Sequence, residues 1–97
     1  MSVILELSLF PLGAGESVSP YVARALRIVR DSGLPFELGP MGTCVEGEWD
    51  EVMAVSRDCF EALRADCDRV YLTMKLDYRK GPGGRLESKT ASVRNKL

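Results

Sequence analysis

The fold is decided by residues 32–49, whose sequence is SGLPFELGPMGTCVEGEW. Gly33 and Pro35 end a helix, because glycine readily takes the left-handed conformation that follows a helix and proline cannot continue one. Two short strands follow, over residues 36–38 and 42–46, and the Gly- and Pro-containing turn between them is typical of a hairpin. The acidic residues after the second strand suit the first turn of another helix. The segment therefore predicts a helix end, a hairpin and a helix start.

The flanking segments complete a βαββαβ order. Residues 3–10 alternate between apolar and mixed positions, as a strand with one buried face does. Ser19 and Pro20 predict the start of the first helix, because serine can cap free N–H groups and proline loses no hydrogen bond at the first helical position. Apolar residues at helical spacing predict the second helix over 48–65, and renewed alternation predicts the fourth strand over 69–78.

This order predicts an α+β ferredoxin-like sandwich, an antiparallel sheet with two helices on one face, in a single domain spanning 1–97. The expected inward-facing strand residues are Val3, Leu5, Leu7, Leu9, Val70, Leu72, Met74 and Leu76. The expected buried stripe of the second helix is Trp49, Val52, Met53, Ser56, Phe60 and Leu63. A short C-terminal helix carries a narrow stripe of Leu86, Thr90, Val93 and Leu97. It is too short to be stable alone, so we expect it to dock on its own domain or on a neighbour.

Composition argues against several function classes. Thirteen basic and 14 acidic residues give a net charge of −1, whereas nucleic-acid and anionic-membrane binders are usually basic. The N-terminus lacks the features of a signal peptide, so we expect a cytoplasmic protein. The chain has no histidine, which rules out Ser–His and Cys–His pairs, and its three cysteines form no C-x-x-C pair. We therefore expect free thiols, no metal site and no nucleophilic catalysis by such a pair, and we expect no cofactor.

Candidate ligand contacts concentrate around the predicted hairpin. Thr43, Glu46 and Glu37 lie on adjacent strands beside the start of the second helix, and their side chains can hydrogen-bond a heterocycle or attract a cation. The alternative is that Glu46 caps that helix and Glu37 is simply exposed. Tyr21 and Trp49 could supply flat ring contacts, but both positions also fit the helical core stripes.

Basic residues follow the predicted fourth strand, around a glycine-rich loop at 81–84. Arg79, Lys80, Arg85 and Lys89 could meet a phosphate or an acidic neighbour, or could form a solvated face. The loop lacks the Gly-Lys-Ser/Thr ending of a phosphate-binding P-loop, so a flexible connection is favoured.

Five blocks of the chain, in this order, resemble the MTH1187/YkoF-like family of small thiamine-binding proteins. They are residues 11–13 (PLG), 18–22 (VSPYV), 32–36 (SGLPF), 41–47 (MGTCVEG) and 75–80 (KLDYRK). The resemblance covers nearly the whole chain. It implies a ferredoxin-like domain that assembles through its sheets into homodimers or homotetramers and binds thiamine or its hydroxymethylpyrimidine half, with no catalytic role.

The resemblance also implies roles for residues near the hairpin. Glu46 or Glu37 could bond the pyrimidine or offset the thiazolium charge, and Thr43 and Ser8 could add hydrogen bonds. An aromatic wall such as Tyr21 could hold the ring faces. The implied function is non-catalytic binding, as a vitamin carrier, buffer or sensor, with no nucleic-acid or membrane partner.

Two other functions fit the same fold. One is an oligomeric regulatory or interaction module with no thiamine ligand. The other is an acylphosphatase-like enzyme, which needs an arginine-bearing phosphate loop after the first strand. Residues 11–16 read PLGAGE and contain no arginine, which argues against that enzyme.

Overall fold

The predicted order of strands and helices is confirmed. A computed structural model describes residues 2–13, 15 and 17–97. Its elements are β1 (Ser2–Pro11), α1 (Ser19–Asp31), β2 (Phe36–Leu38), β3 (Thr43–Gly47), α2 (Trp49–Arg64), β4 (Val70–Arg79) and α3 (Arg85–Arg94). The predicted strand bounds differ from these by no more than one residue at each end. No helix in the described ranges is both long and apolar enough to cross a membrane.

The four strands form one antiparallel sheet in the order β2-β3-β1-β4, which confirms the α+β ferredoxin-like class. β1 lies in the interior of the sheet and pairs with β4 along its whole length and with β3 from Val3 to Leu7. Leu7 stands opposite Thr43 on one side and Met74 on the other. Directly paired residues share a face of the sheet, so this register assigns every strand side chain to one of two faces.

The core lies between the sheet and the two long helices. Val3, Leu5, Leu7 and Leu9 are all buried there, as the alternation in β1 predicts. The helices meet them with Ala25, Val29, Val52, Val55, Ser56, Cys59 and Leu63. We call this side of the sheet the helix face and the opposite side the outer face.

Part of the predicted core is exposed. Trp49 is 56% exposed because it is the first residue of α2, and the first buried position of that helix is Val52. Met74 and Leu76 are 37% and 40% exposed, since β4 is an edge strand and the helices do not fully cover its outer half. The prediction that these three residues are buried was wrong.

The start of α1 also differs from the prediction in detail. Ser19 is the first helical residue and does not cap the helix, because the carbonyl of Val18 already accepts the N–H groups of Tyr21 and Val22 at 3.0 and 3.1 Å. The helix therefore begins one residue earlier than a serine cap allows. Pro20 occupies the first turn, as predicted.

Gly33 ends α1 in the left-handed conformation, with φ of +78°. We predict that Gly33→Ala lowers the free energy of unfolding by about 1 kcal/mol, because a Cβ is disfavoured at this φ. Urea denaturation measures the change. Gly83→Ala is the matched control, since its Cβ would meet only Ser2, at an ordinary 3.9 Å, and its φ is not positive. Equal destabilisation by the two variants would contradict the left-handed assignment.

Candidate ligand-binding site

A pocket of about 290 Å³ opens between α1 and the β2–β3 hairpin. The helix contributes Val18, Val22 and Leu26 to one wall, and the hairpin turn contributes the other wall through residues 39–42. Leu7 and Leu9 of β1 form part of its lining. The pocket lies on the helix face, at the end of the sheet where β1 meets the loop before α1.

The hydroxyl of Thr43 borders this otherwise apolar pocket. Thr43 is only 4% exposed and lies on the helix face opposite Leu7. Ser8 also lines the pocket, but it alternates with the inward-facing Leu7 and Leu9 of β1, so its side chain is on the outer face. Within the described ranges the Thr43 hydroxyl neither donates nor accepts a hydrogen bond, so it is available to a ligand. None of the described lining residues is charged. The pocket therefore suits a small neutral group with hydrogen-bonding atoms.

The hairpin turn owes its shape to two glycines. The Gly39 N–H donates to the carbonyl of Gly42 at 2.9 Å, and a Cβ on Gly39 would lie 2.8 Å from that same oxygen. A Cβ on Gly42 would lie 3.2 Å from the Leu7 carbonyl oxygen. The absence of side chains at both positions lets the turn close on itself and approach β1, which sets the position of Thr43.

We predict that Gly39→Ala destabilises the fold by about 1–3 kcal/mol, because its Cβ meets backbone that must shift. The backbone amide of Thr43 should move in the NMR spectrum of the variant. Pro40→Ala, at the exposed neighbouring position, is the control and should leave the Thr43 amide in place. An unchanged Thr43 amide in Gly39→Ala would show that the turn does not position this residue.

Glu46 lies on the outer face, where it binds α3. Its carboxylate accepts hydrogen bonds from Ser2 Oγ at 2.7 Å and from the backbone N–H groups of Arg85 and Leu86 at 3.0 and 3.1 Å. Burial opposes ionisation, but these hydrogen bonds and the charge of Arg85 outweigh it and lower the pKa of Glu46. Glu46 therefore caps the C-terminal helix.

The second helix, α2, is not capped by Glu46, which was the alternative role considered for this residue. The carboxylate of Glu51 accepts the backbone N–H of Glu48 at 2.9 Å at the start of α2. Glu46 cannot serve there, because its carboxylate is engaged on the outer face with α3. The idea that Glu46 caps α2 was wrong.

The structure thus separates the predicted site residues. The Thr43 side chain borders the pocket, whereas the side chains of Ser8 and Glu37 are on the outer face, where Glu37 is exposed opposite Cys44. Tyr21 packs against the core from α1, with the guanidinium carbon of Arg24 at 5.4 Å from its ring centre. Sequence reasoning missed Leu38 and Met41 of the hairpin wall and Val18 and Val22 of the opposite wall.

Several of the other candidate groups form ion pairs within the chain or are buried. Among the predicted basic residues, Arg85 and Lys89 both pair with Asp77, so part of that positive charge is neutralised within the chain. The three cysteines are free, as predicted. Cys59 is buried, and burial raises the pKa of its thiol to about 11, which makes it unreactive at neutral pH.

Comparison with known proteins identifies the family of this chain. The family model described as "Thiamine-binding protein" matches residues 5–94. The chain belongs to the thiamine-binding protein family. A UPF0045 protein of Mycobacterium bovis is 44% identical over 98 residues, covering 100% of this chain and 96% of that protein. No known enzyme class is attached to the family or to this relative.

Solved structures of similar proteins have the same fold. The crystal structure of a hypothetical protein of Methanocaldococcus jannaschii superposes with a TM-score of 0.87 at 35% identity, covering 95% of both chains. A Thermotoga maritima protein superposes with a TM-score of 0.80 at 23% identity, covering 94% of this chain and 99% of that one. The latter is named as a thiamine biosynthesis or salvage protein. At that identity the likeness supports the fold alone.

Proposed function

We propose that this protein binds thiamine or its hydroxymethylpyrimidine half, without catalysis, in the pocket between α1 and the β2–β3 hairpin. The observation that carries the proposal is the buried Thr43, whose hydroxyl has no partner in the described chain and borders an apolar pocket. Membership of the thiamine-binding family supports the ligand class. The name of the Thermotoga maritima neighbour points to the same vitamin.

The pyrimidine half matches the pocket in size and polarity. A volume of about 290 Å³ is at the small end of the range for ligand pockets and suits a single substituted ring. The ring is flat and uncharged, and its nitrogen atoms or amino group can pair with the Thr43 hydroxyl, which both donates and accepts. Apolar side chains on the two walls can contact its faces.

The thiazolium half has no such match inside the pocket. No described lining residue carries a negative charge, and an unpaired cation is costly to bury. Met41, which is 86% exposed at the hairpin turn, marks the side from which the thiazolium can remain in water. We therefore propose that the pyrimidine binds in the pocket and that the cationic ring projects toward solvent.

Roles in binding for Ser8, Glu37, Glu46 and Tyr21 stay predictions. The three donors on the Glu46 carboxylate occupy much of its accepting capacity, and Glu37 is on the face of the sheet opposite the pocket. A ligand that used these carboxylates would have to bind at the outer face. The two locations are therefore separable by single substitutions.

We predict that Thr43→Val weakens binding about tenfold in calorimetric titration, because valine keeps the shape of threonine and removes one hydrogen-bonding hydroxyl. Hydroxymethylpyrimidine should bind nearly as well as thiamine and thiamine monophosphate, since the pocket contacts the pyrimidine half that all three compounds share. Glu37→Gln is the matched control and should leave every affinity unchanged.

Loss of binding in Glu37→Gln with normal binding in Thr43→Val would move the site to the outer face. Absence of binding by the parent protein, for all three compounds, would favour the second candidate function, an oligomeric interaction module. One observation specifically favours that module: β4 is an edge strand with exposed Tyr71, Met74 and Leu76. Such an edge can pair with another copy, so we propose a homo-oligomer in either case.

We propose that the protein carries, buffers or senses the vitamin without catalysing a reaction on it. The cytoplasmic location expected from the sequence, which we also propose, suits each of these roles.

A further inference from the structure

The C-terminal helix α3 has little apolar contact with the rest of the protein. Val93 is 60% exposed and Leu97, just beyond the helix, is fully exposed. Only Leu86 and Thr90 of the predicted stripe are half-buried, and the one buried residue of the helix is Arg85, in its first turn. A helix of ten residues is marginal by itself, so its position depends on what holds this first turn.

A polar clasp holds that turn to the sheet. The Glu46 carboxylate of β3 accepts the first two N–H groups of α3 and the hydroxyl of Ser2 from β1. The Arg85 guanidinium donates to the backbone oxygens of Ser2 at 3.1 Å and Asp77 at 2.9 Å, and so reaches β4. One carboxylate and one guanidinium thus join α3 to three strands.

The clasp is incomplete, because Nε of Arg85 is buried with no hydrogen-bond partner in the described chain. An unsatisfied buried donor opposes docking of the helix and offsets part of what the clasp contributes. The connection before α3 also contains Gly81 and Gly84 at φ of +126° and +75°, conformations that glycine adopts without strain. The helix is therefore attached through a glycine-rich segment and held at one end.

Beneath α3 lies a groove of about 320 Å³ on the outer face. The sheet contributes Ile4, Glu6 and Cys44, and the helix closes the groove with Leu86 and Thr90. The groove is on the opposite face of the sheet from the pocket that holds Thr43. Displacement of α3 would open it and expose the thiol of Cys44, which is now half-buried.

We propose that α3 is a latched cover over the outer face of the sheet and that the ionised carboxylate of Glu46 is its latch. Neutralising Glu46 weakens both backbone hydrogen bonds to the helix and removes the charge that faces Arg85. The cover then opens about its glycine-rich connection while the core between the sheet and α1 and α2 stays folded. This role is independent of whether the other pocket binds thiamine.

Acid should release the latch. Because the pKa of Glu46 is lowered in the folded protein, its stabilising contribution is fully present above the ordinary glutamate pKa of about 4.3 and is lost as pH falls through the lower, folded-state pKa. Other charged groups also face the clasp. They are Arg85, Glu87, Lys89 and Arg94 from α3, Glu37 from β2 and Asp77 from β4.

Hydrogen exchange of the whole chain, read by mass spectrometry and corrected for intrinsic rates, tests the latch. We expect Glu46→Gln to speed exchange over residues 85–94 by about tenfold or more, because a buried hydrogen bond to a charged group is lost. Exchange in α1 and α2 should stay as in the parent. In the parent, protection of α3 should fall with acid before that of α1, and in Glu46→Gln it should be low at every pH.

Two further variants keep the test decisive. Ser2→Ala removes one of the donors to Glu46 and should speed exchange in α3 by a smaller factor. Glu37→Gln is the control and should have no effect. Glu37 is a carboxylate on the same face that makes no hydrogen bond in the described chain. Alkylation of Cys44, read by peptide mapping, should accelerate in Glu46→Gln. Unchanged exchange of α3 in Glu46→Gln, or loss of protection in α1 and α3 together, would overturn the proposal.

Discussion

The register of β1 is the constraint on which the rest of the structure depends. Its buried residues Val3, Leu5, Leu7 and Leu9 must all face the two helices, and a slip of one position would turn every one of them to the outer face. Because β1 lies between β3 and β4, its register also fixes theirs. Thr43 stands opposite Leu7 and Glu46 opposite Ile4. One apolar pattern therefore sends the threonine and the carboxylate to opposite faces of the sheet.

This separation gives the two faces different chemistry. The helix face presents an apolar pocket with the free hydroxyl of Thr43 and no charge among its described lining residues, which suits a neutral ring. The outer face carries carboxylates, lysines and a buried arginine, and its charged groups are largely engaged with one another. The clasp at Glu46 organises that outer face by holding α3. Residues three positions apart in one short strand thus have unrelated roles.

Local signals in the sequence were sufficient for the elements and their order. The alternation of residues 3–10, the left-handed Gly33 and the turn glycines each act through neighbouring backbone, so they can be recognised without the fold. The partners of Glu46 could not be found in this way, because Ser2 and Arg85 are 44 and 39 positions away. The exposure of Met74 could not be predicted from the sequence either, since it depends on how far the helices extend over an edge strand. Thr43 was identified as a candidate, but the pocket beside it forms only when α1 packs against the hairpin.

The most direct test of binding in the pocket on the helix face is to map the site by NMR. Backbone amides of the parent protein are followed during titration with hydroxymethylpyrimidine. Binding in the pocket on the helix face predicts that the largest shifts occur at Val22, Met41, Gly42 and Thr43, which lie around it. Shifts concentrated at Glu37, Cys44 and Thr90 would place the ligand on the outer face and contradict it.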